Sequence, residues 1–332
     1  MCAHNPAGKH CLPAGKQQGL FQKDDFKKDE ETRCGNYRPV SSLKAPPAEM
    51  FDVKACQRKL AEHYLKTAKV PTTAWSSVLQ ADLEQIYTRL SWVKQEQTSA
   101  GPSQKEKEEQ TTAGSSQKEL SHYTEIFTDK TKNGVEAKRI LVQGETGIRK
   151  TTFVKKLLVD WSNLQEAKMD EEREDALRKF DLVLAVNLKE VSDCQTFEEV
   201  ISRSRLFPRD EEKSVDDLLC YIRANQDKVL LVFDGYDEYR TGSKAKERSK
   251  SPIFEIFHGY ILRHCTVLVT TRSSRADEIR GLADLQAEIT GFDKSDRRDF
   301  MRKMLDSQTE VDGLLEFLRE RQLSVDLFKV RL

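Results

Sequence analysis

One segment restricts the fold of this chain more than any other. Residues 139–143, Arg-Ile-Leu-Val-Gln, form a short, mostly apolar run that passes straight into Gly144-Glu145-Thr146-Gly147-Ile148-Arg149-Lys150-Thr151-Thr152. Beyond it Phe153, Val154, Leu157, Leu158 and Trp161 recur at helical spacing. A strand that ends in a glycine-bearing turn and opens a helix is the setting of a phosphate-binding P-loop. The turn aims backbone N–H groups at phosphate oxygens, and the helix N-terminus adds a positive dipole. On this reading residues 144–152 cradle the phosphates, Lys150 reaches the outer ones and Thr151 coordinates Mg2+. A plain strand-to-helix turn with a solvated lysine is the alternative for the loop taken alone.

Arg149 departs from the usual pattern, which has glycine immediately before the lysine. A side chain there strains a backbone conformation that few residues other than glycine tolerate, and it is expected to crowd the phosphates. If the strain costs roughly 1–3 kcal/mol, affinity falls about 5- to 150-fold. Pairing of the guanidinium with phosphate would recover part of that loss.

After this loop, short β-branched runs alternate with helical segments: DLVLAV from residue 181, VLLVF from 229, TVLVT from 266 and AEITGF from 287. The alternation predicts an α/β fold, a mostly parallel sheet flanked by helices. Two runs end in chemically telling residues. The strand at 229–233 ends in Asp234-Gly235-Tyr236-Asp237-Glu238, and a carboxylate at the end of a buried strand beside a P-loop is where Mg2+ is held, usually through water. Asp237 and Glu238 add carboxylates that could orient or deprotonate an attacking water; an acidic, solvated turn is the plainer alternative. The strand at 266–270 ends in Thr271-Arg272, a cation at the same sheet edge that could sense a γ-phosphate or simply face solvent.

In this order and at these wide spacings, the three motifs resemble those of the NACHT family of STAND-type nucleotide switches, which read GxxGxGKTT, then four apolar residues and DGxDE, then VLVTTR. The likeness extends to the flanking LVQGETGIRKTTFVKKLLVDW and EITGFDKSDRRDFMRKM, and covers about residues 123–305. The resemblance implies a P-loop NTPase fold with ATP or ADP and Mg2+ as cofactors. It assigns phosphate binding to Gly144, Gly147, Lys150, Thr151 and Thr152, and metal binding to Asp234. It gives Asp237 and Glu238 a hydrolytic or coupling role and Arg272 nucleotide sensing. Members of the family are intracellular sensors, often in innate immunity or cell death, that rest with ADP and oligomerise after exchange for ATP. Self-association or a signalling-protein partner is therefore expected, and any ATPase activity is expected to be weak. Two other readings stay open. One is a degenerate domain that no longer binds nucleotide and serves as an interaction scaffold or is a non-functional product. The other is an ordinary P-loop kinase or ATPase, which the DGYDE run disfavours.

Composition narrows the partners. Lys plus Arg and Asp plus Glu both total 55, so no net field draws the chain to nucleic acid or anionic lipid. The longest apolar runs, residues 229–233 among them, are five residues long, far short of the roughly 20 residues needed to span a bilayer, and a cytoplasmic protein without a membrane partner is expected. Seven cysteines without a CxxC pair read as reduced thiols. Cys2, His4, His10 and Cys11 match no common metal site.

The remaining organisation is expected as follows. Residues 1–50 are rich in Gly, Pro, Lys and Asp and are predicted to be disordered. Within them FKKDEETRCGNYRPVSSL resembles a stretch of LINE-type reverse transcriptases, without the paired carboxylates a polymerase needs for its metal ions. Residues 56–94 are predicted to be helical, as two amphipathic helices at 56–69 and 77–93. Residues 95–120 form a flexible linker in which TSAGPSQKE from Thr98 is nearly repeated as TTAGSSQKE from Thr111. The nucleotide-binding domain occupies 121–305. Residues 306–332 begin a helical region that reads as truncated. The basic run at 240–250 and the acidic, lysine-spaced segment 166–179 read as solvated.

Overall fold

A computed structural model describes residues 51–73, 76–95, 117–131, 134–166, 175–206, 213–239, 251–292, 294–304 and 308–320. The retroelement-like stretch, the first copy of the repeat and the basic run at 240–250 lie outside these residues. Helix α1 (Val53–Thr67) opens on Asp52, whose carboxylate accepts from the Ala55 N–H at 2.9 Å. The hairpin β1 (Lys69–Thr73) and β2 (Ser76–Asp82) follows, then a single turn α2 (Leu83–Ile86). Strands β3 (Ser91–Gln95) and β4 (Gln117–Leu120) precede β5 (Arg139–Gln143) and α3 (Lys150–Glu166). The rest alternates: β6 (Leu182–Asn187), α4 (Phe197–Arg203), α5 (Lys213–Ala224), β7 (Val229–Asp234), α6 (Pro252–His258), β8 (Thr266–Thr271), α7 (Ser273–Arg280), β9 (Leu285–Gly291), α8 (Lys294–Met304) and α9 (Gln308–Glu320).

Seven strands form one sheet in the order β4-β3-β9-β5-β8-β7-β6. From β9 to β6 all neighbours are parallel, whereas β3 and β4 add at one edge antiparallel. Every residue of β5 and β8 is buried, and so is β7 up to Phe233, as expected of parallel strands covered on both faces. This confirms the α/β class and the five strands read from the sequence. The apolar face of α3 is also the predicted one: Phe153, Val154, Leu157, Leu158 and Trp161 are all buried. Cys56, Cys194, Cys220 and Cys265 form no disulfide.

The N-terminal part departs from expectation. Instead of a helix at 77–93, the chain makes strand β2, one helical turn and strand β3. Helical spacing of Leu79, Leu83, Ile86 and Leu90 loses to pairing: β3 closes the open edge of β9, with Trp92 opposite Ile289, and Trp92 packs edge-on against Phe153 at 4.6 Å. The linker expected over 95–120 ends in β4, which pairs with β3 (Trp92 opposite Leu120). The nucleotide-domain sheet therefore begins well before residue 121.

Helix α1 is part of the same core. It packs along α3 and covers the far edge strand β6, where Tyr64 donates its hydroxyl to the Val183 carbonyl at 2.8 Å and Gln57 donates to that of Asp181 at 2.8 Å. An edge strand otherwise presents unpaired backbone groups, and these side chains satisfy part of that row.

Candidate functional site

The parallel register brings the C-terminal ends of β5, β8 and β7 to one edge of the sheet, with Gln143 opposite Thr271 and Phe233 opposite Val269. Ligands of open α/β sheets bind at that edge. The Asp234 strand is not the neighbour of β5, because β8 lies between them.

The loop after β5 is shaped by close packing. A Cβ on Gly144 would stand 2.7 Å from Ile148 Cγ2 and 3.1 Å from the Ile289 carbonyl oxygen, so only glycine fits there. Ile148, 4% exposed, pins the loop to the core. Gly147 takes φ 79° and Arg149 φ 74°, the left-handed conformation in which a P-loop turns. Glu145 and Thr146 sit exposed on the outside. Lys150 opens α3 and donates from Nζ to the carbonyls of Gly144 at 2.7 Å and Glu145 at 3.0 Å, so its ammonium lies across the loop. Burial lowers its pKa, while Asp237, Asp234 and Glu145 act to raise it.

Asp234 ends β7 beside this loop. Its Oδ1 accepts from the hydroxyl of Thr270 at 2.5 Å, and Thr151 also hydrogen-bonds to it. Burial pushes the Asp234 pKa up, against the opposing effect of these hydroxyls and of Lys150. Thr270 is itself fixed by the Gly235 N–H at 2.9 Å. The Asp237 carboxylate, 7% exposed, takes both the Arg272 guanidinium, at 2.6 Å, and the Arg272 backbone N–H, at 3.2 Å. Glu238 points elsewhere, to Lys189 at 3.4 Å in an exposed pair that contributes little. The structure thus gathers Lys150, Thr151, Asp234, Asp237 and Arg272, and leaves Glu238 at the rim.

Arg149 differs most from expectation. Its guanidinium lies 4.3 Å from the ring centroid of Phe300 and 5.3 Å from that of Phe292, and burial lowers its pKa. The side chain lies over aromatic faces. Arg149 and Thr152 also line a shallow recess completed by Tyr87, Thr88, Leu90 and Phe292. Thr88 is 5% exposed and its hydroxyl has no hydrogen-bond partner among the described residues.

Four of these residues were not singled out by sequence reasoning. Thr270 is one of three threonines in the strand Thr266–Thr271, so its polarity alone did not mark it out. Thr88, Phe292 and Phe300 gave none, since their roles come from neighbours distant in the chain.

Among the described residues, no three His, Cys, Asp or Glu side chains gather to hold an ion by themselves. One carboxylate with one hydroxyl, Asp234 with Thr151, fits Mg2+, which keeps several waters and shares phosphate oxygens.

The sequence matches the NACHT domain over residues 138–308, just over half of the 332-residue chain. NLR family CARD domain-containing protein 4 of Xenopus tropicalis is 29% identical over 192 residues, covering 58% of this chain and 18% of that protein. Nucleotide-binding oligomerization domain-containing protein 2 of Bos taurus is 24% identical over 298 residues, 84% of this chain and 27% of that protein. Human NACHT, LRR and PYD domains-containing protein 10 is 24% identical over 214 residues, 60% and 29%. The chain therefore spans less than a third of the length of these relatives. The loop, the Asp234 strand and the Arg272 strand meet at one sheet edge, and the match runs through all three: the chain belongs to the NACHT-domain family of P-loop NTPases, of the NOD-like receptor type.

Proposed function

We propose that this chain is the ATP/ADP-binding switch domain of a cytoplasmic NOD-like-receptor-type signalling protein, acting in innate immunity or cell death, with slow NTP hydrolysis and nucleotide-dependent self-association. The observation that carries the reading is the convergence of Lys150, Thr151, Asp234 and the Asp237–Arg272 pair at one sheet edge. Residues 144–152 bind the phosphates through loop and helix N–H groups, and Lys150 exchanges the carbonyls of Gly144 and Glu145 for phosphate oxygens. Thr151 and Asp234 hold Mg2+, which supplies charge neutralisation for the phosphates.

The ion pair sets the switch. A diphosphate leaves Arg272 on Asp237, whereas a third phosphate competes with Asp237 for the guanidinium. While that pair stands, both Asp237 oxygens are engaged, which supports slow hydrolysis: a base already accepting two bonds takes a proton from water poorly. A degenerate scaffold is the second reading, favoured by the strained φ of Arg149.

The test is to purify the full chain, identify any co-purifying nucleotide, and titrate Mg-ADP and Mg-ATP calorimetrically beside Lys150→Ala. Micromolar binding that falls about 10- to 150-fold in the variant, the worth of a charge-assisted bond, supports the switch. No binding by the wild-type chain leaves the scaffold.

A further inference from the structure

Arg149 occupies a left-handed position normally given to glycine, and its guanidinium lies over two buried rings, Phe300 (4% exposed) at 4.3 Å and Phe292 (5%) at 5.3 Å. The rings themselves stack, with centroids 5.4 Å apart and planes at 27°. Phe292 follows β9 and Phe300 lies on α8, so the stack joins the phosphate loop to the strand–helix junction that follows β9. Left-handed backbone disfavours a residue with a Cβ by about 5- to 30-fold. A partly desolvated cation–π pair returns about 2- to 30-fold. The two effects are of one size, so the aromatic clamp can hold the arginine where glycine would otherwise be required.

We infer that Arg149 is the positioning residue of this phosphate loop: clamped on Phe292 and Phe300, it fixes the anion-binding turn and ties nucleotide affinity to the packing of α8. The inference rests on the nucleotide-binding reading above. It is a different claim, because that reading rests on Lys150, Thr151, Asp234 and the Asp237–Arg272 pair and gives the Arg149 side chain no part. Two consequences follow for the loop. An intact stack keeps the Arg149 side chain off the phosphate face, and losing the stack leaves the left-handed turn with nothing to offset its strain.

A double-mutant cycle on the full chain separates these ideas, with Arg149→Gly, Phe300→Leu and their combination titrated with Mg-ADP. Leucine keeps apolar volume but removes the ring face. The clamp predicts that Phe300→Leu weakens binding about fivefold or more with Arg149 present, the scale of a cation–π pair, and less than twofold in the glycine background. Thermal melting without nucleotide is followed in parallel, since a simple packing loss moves Phe300→Leu equally in both backgrounds. Equal effects of Phe300→Leu on affinity in the two backgrounds overturn the clamp and leave nucleotide binding standing. Tighter binding by Arg149→Gly with no response to Phe300→Leu also overturns it, making Arg149 an obstruction. Absence of binding in all four proteins, the glycine variant included, overturns both the clamp and the nucleotide reading.

Discussion

At the residue scale Asp234 is a carboxylate held in the sheet edge by two hydroxyls and a nearby lysine. Its pKa is raised in the folded chain by burial, so the folded state holds a proton where the unfolded chain has released it. The stabilising contribution is complete below the ordinary carboxylate pKa and is lost as pH rises through the raised value. Asp234→Asn keeps an acceptor for Thr270 and removes the charge. The nucleotide-free variant is therefore expected to unfold at higher urea than wild type at neutral pH, and to lose the fall in stability between the carboxylate range and neutrality. It should also lose the Mg2+ dependence of nucleotide binding. A variant no more stable than wild type at pH 7 would contradict a burial cost at this position.

At the scale of elements, the junction of β5, α6 and β8 depends on one buried arginine. Arg139, 6% exposed, donates to the carbonyls of Phe257 at 3.1 Å, Cys265 at 2.7 Å and Arg263 at 3.2 Å, while Asp284 accepts the N–H groups of Lys138 and Arg139. Nothing in the run RILVQ announces this, because the carbonyls of Phe257, Arg263 and Cys265 lie more than a hundred residues away in sequence. Arg139→Met keeps apolar length but orphans several carbonyls. At about 1.5–3 kcal/mol for a bond to a charged donor, the loss is expected to reach about 3 kcal/mol or more, read as a lower urea midpoint with unchanged slope. A shift below ~1 kcal/mol would show that water replaces the guanidinium.

At the scale of the molecule, the N-terminal elements are structural members of the nucleotide domain. α1 covers the β6 edge, and β3 with β4 covers the β9 edge. Trimming the chain to residue 121 would open both ends of a largely apolar sheet. The trimmed chain is expected to aggregate at concentrations where the full chain stays in solution, as measured by light scattering; an equally soluble, cooperatively folding fragment would show these elements to be dispensable. The balanced charge, 55 basic against 55 acidic residues, gives little repulsion to oppose such aggregation. Among the described residues, no helix is long and apolar enough to cross a membrane.

The chain by itself determined the five parallel strands, the loop between β5 and α3, and the edge at which Lys150, Thr151, Asp234 and Arg272 meet. Each of these is written locally, in a run of β-branched residues, a glycine spacing, or a polar residue at a strand end. Tertiary structure decided what local pattern cannot encode. It placed β8 between the loop strand and the Asp234 strand, turned a helix-patterned segment into β3 by offering it an open edge, and joined Arg272 to Asp237. It also set the Arg149 guanidinium against Phe292 and Phe300, although its backbone takes the conformation that the glycine position predicted. Strand order, edge pairing and aromatic stacking depend on partners far apart in sequence, and their energies exist only once the core has brought those partners together.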